Sequence, residues 1–355
     1  MELVSIEATE QKDGGFLLSV CIATFRRAEF LAATLDSIVE QMDGGVELVI
    51  VDGASPDRTP AVVAPYLARF PSISYFREEE NSGVDRDYDK AVGYARGEYC
   101  WLMTDDDLLK PGAIRRVMDA LRSEERSLVL VNAEVRNADL SQILVDRKLS
   151  LPEDRTYGLE DRESFFAECL NYLSFIGCVV IRRTIWLGRD RETYFGTLFV
   201  HVGVIVQPPW VGEVHVVCDP LIVIRYGNAM WTARGFEIWA FKWPGLVWSF
   251  PGYANETKRL VCPREPWRRI KMLFYYRAIG AFSLGEFRSF VTGRTGGMRR
   301  AAAFLTACLP GSIANLVSVF YFAIFNKSNL TMKYDLLRSS HATAASRWLS
   351  QAIWR

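Results

Sequence analysis

The 355-residue sequence has no excess of charge of either sign: 42 Lys and Arg stand against 42 Asp and Glu. A chain without a basic surplus is poorly equipped to gather phosphate backbones, which argues against a nucleic-acid binder. Paired cysteines are also missing. The seven cysteines (21, 100, 169, 178, 218, 262 and 308) are scattered with no Cys-x-x-Cys among them. Several lie in apolar runs, where Cys acts as a small hydrophobe, so a disulfide framework or a zinc site is not expected and a reducing cytoplasm is. No Gly-x-Gly-x-x-Gly and no Gly-x-x-x-x-Gly-Lys-Ser/Thr loop is present, which demotes Rossmann dehydrogenases and P-loop enzymes. No signal peptide opens the chain, and residues 1–15 read as a short polar tail.

What is abundant is apolar sequence, half of all residues, and one acidic cluster set against it. Thr104-Asp105-Asp106-Asp107 follows the apolar run Tyr99 to Met103 and precedes Leu108-Leu109-Lys110-Pro111-Gly112, which reads as a helix start. Carboxylates crowded at the end of a buried strand repel one another and pay for desolvation unless a cation joins them. Hard oxygen ligands suit Mg²⁺ or Mn²⁺, cations that commonly carry a substrate's phosphates as further ligands. The competing reading is a polar loop with Asp as a helix N-cap.

The first half alternates between strand-like and helix-like patterns. Phe16 to Ala23, Val46 to Val51, Ile73 to Phe76 and Tyr99 to Met103 read as strands; Ala28 to Gln41, Ala61 to Phe70 and Asp85 to Ala95 read as helices. Such alternation predicts a parallel α/β sheet, in which ligands bind beyond the carboxyl ends of the strands. Polar residues gather at those ends: Thr24, Arg26 and Arg27; Asp52 and Asp57; Asn81 to Arg86; and the acidic tetrad.

The blocks SVCIATFRRAEFLAATLDSI, ELVIVDGASPDRT, ENSGVDRDYDKAVGYARGEY and WLMTDDDLLKPGAI, in this order, resemble those of family-two glycosyltransferases with the GT-A fold. The resemblance covers roughly residues 16–225. Later stretches, YLSFIGCVVIRRTIW, YFGTLFVHVGVI and CDPLIVIRYGN, resemble the abequosyltransferase-like, O-antigen branch. It implies an inverting, metal-dependent transfer of a sugar, a deoxyhexose among the candidates, from a nucleoside-diphosphate donor to a lipid-linked (polyprenyl diphosphate) saccharide. It assigns Thr24, Arg26 and Asp52 to the nucleoside and Arg86 to the diphosphate, with Asp85 orienting Arg86 or touching the ribose. Asp106 becomes the direct Mg²⁺ or Mn²⁺ ligand, supported by Asp105 and Asp107, because Thr104 replaces the first Asp of the usual Asp-x-Asp; a register using Asp105 and Asp107 is the alternative. The family's carboxylate base has no counterpart in YFGTLFVHV, where His201 stands in the matching place, with Asp190 and Glu192 as fallback bases. Two rivals stand beside this reading: a nucleotidyltransferase, and an inactive membrane scaffold of the same fold.

Beyond residue 226 the composition changes. Trp231, Trp239, Trp243, Trp248 and Trp267 crowd one stretch, and residues 258–300 hold eleven Lys and Arg against Glu265 and Glu286. The apolar segment Ala301 to Phe325 is long enough to span a bilayer but is interrupted by Pro310-Gly311 and Asn315. The division expected is a polar tail (1–15), a GT-A catalytic domain (16–226) and a helical region (227–355) lying on an anionic membrane surface, which places the chain peripherally or monotopically on the cytoplasmic face of the plasma membrane.

Overall fold

The computed structural model of the chain describes residues 15–228, 234–326 and 328–353. The expected polar tail, apart from Gly15, and Trp231 lie outside the described residues. Four strands open the fold: β1 (Leu18–Thr24), β2 (Val46–Asp52), β3 (Ile73–Arg77) and β4 (Tyr99–Met103), connected by α1 (Ala28–Val39), α2 (Thr59–Arg69) and α3 (Val84–Tyr94). They lie side by side in the order β3-β2-β1-β4, all parallel. Every residue of β1, β2 and β4 is buried, as strands covered by helices on both faces must be.

The short β5 (Leu108–Leu109) and the amphipathic α4 (Ala113–Ser123) follow. The sheet then continues through β6 (Leu128–Arg136), β7 (Ile143–Val145) and β8 (Arg155–Tyr157), past α5 (Arg162–Leu173), to β9 (Val179–Arg182), α6 (Arg183–Gly188), α7 (Val200–Val206) and β10 (Val214–Arg225). β9 runs antiparallel between β4 and β6, while β6 and β10 are parallel, so the ten strands form one mixed sheet whose β3-β2-β1-β4 half is all parallel. The α/β fold expected from the alternation is what the chain adopts, with a helical C-terminal region appended.

Buried Glu47 on β2 ties the first strands together. It accepts from Ser19 Oγ (2.7 Å), from the Arg96 backbone N–H (2.6 Å) and from Arg96 Nε (2.8 Å). Gly97, where a Cβ would lie 2.5 Å from Ser19 Oγ, brings the backbone against the same cluster just before β4. A buried carboxylate at this position is satisfied because these donors, the second guanidinium nitrogen of Arg96 (2.8 Å) and the Gly97 N–H (3.2 Å) converge on it.

The expected boundary at residue 226 is not a boundary in packing. Ile238, Trp243, Leu246, Val247, Phe250 and Val261 belong to the same apolar core as the sheet. Trp239 and Trp248 pack against that core, and Trp267 is buried in a second cluster. The aromatic crowding read as a membrane-interface signature is therefore largely interior packing. Two of the eleven basic residues are also turned inward: Lys258 donates to Phe250 O, and Arg277 to Leu309 O. Among the described residues no single helix is long and apolar enough to cross a membrane; the segment Ala301 to Phe325 breaks at Pro310 into helices Gly297–Cys308 and Gly311–Phe325, bent by 101°.

Glu47→Ala should strip Ser19, Arg96 and Gly97 of their shared acceptor and lower stability by about 3 kcal/mol. Urea unfolding followed by far-UV circular dichroism measures it.

Candidate functional site

The carboxyl edge of the parallel strands carries the acidic cluster, and two arginines close on it. Arg27, in the β1–α1 turn, is only 6% exposed. Its guanidinium pairs with Asp106, lies 3.5 Å from Asp105 through Nε, and donates to Asn228 O at 2.9 Å. Arg225, the last residue of β10, donates its backbone N–H to Asp107 Oδ1 (2.7 Å) and its Nε to Asp106 O (3.0 Å). Both guanidinium groups lie over the Phe30 ring, at 4.6 and 5.3 Å. Thr104 Oγ1 donates to Asp107 Oδ2 at 2.5 Å. α3 is held against this edge by Tyr88, whose hydroxyl donates to Met103 O (3.0 Å).

Burial raises the pKa of all three aspartates; their mutual repulsion adds to it at Asp105 and Asp107, and Arg27 offsets it at Asp105 and Asp106. Hard oxygen donors and an excess of buried negative charge fit the chemistry of Mg²⁺ or Mn²⁺. Their disposition is that of a clasped cluster, however: among the described residues no three His, Cys, Asp or Glu side chains are grouped as a metal-ligand set. Arg27 and Arg225 were not assigned roles from sequence. Arg27 stood in the polar group after β1, and Arg225 in the IVIRYGN block, so a signal existed for each; their convergence from 198 residues apart did not show.

The residues that the resemblance assigns to a nucleoside divide into buried and exposed ones. Asp52 is fully buried; it accepts from Ser55 N at 2.8 Å and from the Tyr75 hydroxyl at 2.5 Å. It presents no surface to a ligand and instead shapes the loop after β2, where Gly53 is needed because a Cβ would sit 2.7 Å from Asp87 Oδ2. Thr24, paired in register with Asp52, is buried as well. Arg26 is exposed, with φ of 59°, a left-handed conformation unusual for a side-chain-bearing residue, pinned by Ser55 Oγ on its N–H (2.9 Å).

Asp85 also differs from the expectation that it touches ribose. Its carboxylate accepts three backbone N–H groups, of Gly196 (2.8 Å), Leu198 (2.9 Å) and Val200 (3.1 Å). Burial nevertheless leaves its pKa above the usual carboxylate value. Asp85 thereby fixes the loop that carries Phe195, and the exposed Arg86 guanidinium stacks over the Phe195 ring at 4.4 Å. Asp85 and Arg86, neighbours on α3, thus both contact the segment 195–200.

His201 is the clearest correction. It lies on α7 with 1% exposure, its Nε2 2.7 Å from Leu173 O and its Nδ1 buried without a partner. Desolvation lowers its pKa to about 4. It is a neutral core histidine, out of reach of an acceptor hydroxyl. Asp190 and Glu192 are exposed just before α7; Asp190 Oδ1 accepts from Thr193 N (3.2 Å).

A histidine titrating near 6.5 when unfolded and near 4 when folded makes the unfolded chain bind more protons between those values. Stability is therefore full above pH 6.5 and falls by up to about 3 kcal/mol as pH drops to 4. His201→Phe should flatten that part of the stability–pH curve and leave donor turnover intact. Chemical denaturation at several pH values, with turnover assayed in parallel, reads both.

Comparison with known proteins agrees with this geometry. The Glycosyl transferase family 2 profile matches residues 19–184. Abequosyltransferase RfbV of Salmonella typhimurium is 27% identical over 235 residues, 62% of this chain and 69% of that protein. Succinoglycan biosynthesis protein ExoO of Rhizobium meliloti is 26% identical over 118 residues, 33% of either chain. Among solved structures, S. aureus TarS 1-349 superposes with a TM-score of 0.52 at 12% identity, covering 89% of this chain and 88% of that one, and its complex with UDP gives 0.51 at 13% identity, covering 94% and 90%. At such identity these structures speak for the fold alone. The chain carries a family-2 glycosyltransferase domain with the GT-A fold.

Proposed function

We propose that the chain is an inverting glycosyltransferase that moves a sugar from a nucleoside diphosphate to a growing surface saccharide carried on a polyprenyl diphosphate lipid. The observation that carries it is the aspartate cluster at the carboxyl edge of the parallel strands, clasped by Arg27 and Arg225 inside a family-2 domain. Relatives named for abequose transfer and for succinoglycan biosynthesis support a polysaccharide role, with a deoxyhexose as one candidate sugar. A UDP complex of a structural neighbour supports a nucleotide donor.

In this reading the nucleoside rests on the loop that Asp52 and Thr24 shape, beside Arg26. Arg86, presented on Phe195, takes the diphosphate, where guanidinium binds phosphate oxygens in pairs. Asp106, with Asp105 or Asp107 in support, would hold Mg²⁺ or Mn²⁺, which would supply charge stabilisation to a diphosphate leaving group. Arg27 is the counter-ion of the same carboxylates while no donor is bound. Asp190 or Glu192, exposed where His201 is not, removes the acceptor proton. A lipid-tethered acceptor puts the enzyme on the cytoplasmic face of an anionic membrane. The rival reading is an inactive scaffold of the same fold, and release of free sugar from nucleotide donors in the presence of Mn²⁺ would decide against it.

Arg86→Ala should weaken nucleoside diphosphate binding at least tenfold while nucleoside binding changes little, because its partner is phosphate. Equal loss for both ligands in isothermal titration calorimetry would reduce Arg86 to a helix support. Asp106→Asn should abolish transfer and remove the effect of Mn²⁺ on nucleotide affinity without unfolding the chain. Near-normal turnover in that variant would sink the metal assignment.

A further inference from the structure

Helix Gly311–Phe325 is amphipathic in the reverse sense. The face it buries is made of small and polar residues: Gly311, Ala314, Asn315, Ser318, Val319 and Ala323. Gly311 lies so close to His341 that a Cβ would meet the ring at 2.4 Å, and Asn315, fully buried, donates to Ala278 O (3.2 Å) and Leu336 O (2.8 Å). The face left in solvent carries Ile313, Leu316, Val317, Phe320, Ile324 and Phe325, the last 71% exposed. Their spacing repeats the three-and-four step of one helix side. A water-facing helix is built the other way round; small residues inward and large apolar residues outward is the arrangement expected where the outer solvent is hydrocarbon.

The preceding helix, Gly297–Cys308, continues the surface. Met298, Ala301, Leu305 and Cys308 fall on one outward side, with Met298 89% and Leu305 66% exposed. Arg299 and Arg300 are exposed on that same helix, and Lys271 lies 5.9 Å from the ring of Tyr321, at the edge of the stripe. Residues 258–325 contain two acids. Both are engaged: Glu265 pairs with Arg268 at 2.8 Å, and Glu286 accepts from Ser283.

We propose that the outward faces of helices Gly297–Cys308 and Gly311–Phe325 embed in the outer part of a bilayer leaflet bearing anionic headgroups, with Lys271, Arg299 and Arg300 at headgroup level. This deepens the membrane part of the reading above and rests on it for the enzyme's substrate, not for the surface itself. The occupant follows from the charge. A second copy of the chain docking on this face about a two-fold axis would bring the same cations together; an anionic lipid surface neutralises them while apolar burial supplies the rest. The two helices, bent by 101°, lie in the leaflet as a shallow wedge and do not cross it.

Cys308 is the one exposed cysteine of the seven and lies on the proposed face, so it is a native attachment point for an environment-sensitive fluorophore. Labelled full-length protein mixed with phosphatidylglycerol-containing vesicles should show a blue-shifted emission, protection from aqueous iodide and quenching by a lipid-borne nitroxide. Leu305→Ser and Phe325→Ser, both at exposed positions, should each reduce the fraction floating with vesicles roughly tenfold, since each removes one embedded side chain. Arg299→Gln with Arg300→Gln should reduce binding to anionic vesicles and weaken its sensitivity to lipid charge, with Lys271 left in place. Absence of flotation, flotation with the label still open to iodide, or a lipid-free concentration-dependent dimer that protects the label would overturn the proposal. Transfer of sugar to a soluble saccharide by the same preparations separates the two readings: vesicle binding without any transfer would count against the enzymatic assignment alone, and transfer without vesicle binding against the membrane face alone.

Discussion

Like charges at the end of a buried strand set the terms for this fold. Asp105, Asp106 and Asp107 lie within three residues at the end of β4, largely withdrawn from water, and burial drives each of them toward its neutral form. The chain answers with cations drawn from far apart in sequence. Arg27 comes from the first turn of the fold and Arg225 from the end of the last strand, and they share Phe30 as a platform. The β1–α1 turn, the end of β4 and the end of β10 are thereby fixed to one another. The cluster and the three segments that meet at it are therefore ordered before any ligand arrives.

Much of this was legible in the sequence because it is local. The strands β1 to β4 and the helices between them were placed by apolar runs and period alone, and polar residues at their carboxyl ends marked the edge where the acidic cluster lies. The part that was not legible is what depends on distance. β9 enters between β4 and β6 in the opposite direction, a topology that no local period encodes. Arg225 donates a backbone N–H to Asp107, an interaction that residue type does not reveal. His201 is a ring nitrogen in an apolar run, and such a run is compatible with both a catalytic pocket and a core; only burial and the bond to Leu173 O decide. Asp52 and Asp85 were rightly singled out as carboxylates at strand and helix ends, yet their oxygens are engaged by Ser55, Tyr75 and the backbone of residues 196–200. Buried carboxylates near a site are as readily its masonry as its ligands.

The same limit explains the last third. Tryptophan clusters mark interfaces of either kind, and composition alone cannot say whether the other side is protein or lipid. Packing separates them: Trp243 and Trp267 point inward, while Leu305, Phe320 and Phe325 point outward. The apolar surface resides in the helices that begin at Gly297, thirty residues past Trp267.

These two ends of the molecule share a scaffold. Asn315, on the inward side of the exposed helix, binds Leu336 O in helix Leu330–Arg338. Asp335 of that helix accepts from the hydroxyls of Tyr226 (2.8 Å) and Tyr275 (2.9 Å). Tyr226 directly follows Arg225, and Gly227, with φ of +96°, leaves room for the Tyr334 ring where a Cβ would lie at 2.6 Å. Asn228 then offers its carbonyl to Arg27. A continuous set of packed and hydrogen-bonded groups therefore runs from the outward-facing helix to the segment that clasps the aspartates. Such continuity does not by itself transmit a signal, since coupling requires a two-state element. It does fix position. With a bilayer on the outer face of helix Gly311–Phe325, the acidic cluster is held at a set height and orientation above the lipid headgroups. That constraint suits an acceptor whose reactive hydroxyl is tethered at a fixed distance from its lipid anchor, because an enzyme held rigidly above the membrane recovers orientation that a freely diffusing one would have to find at each encounter.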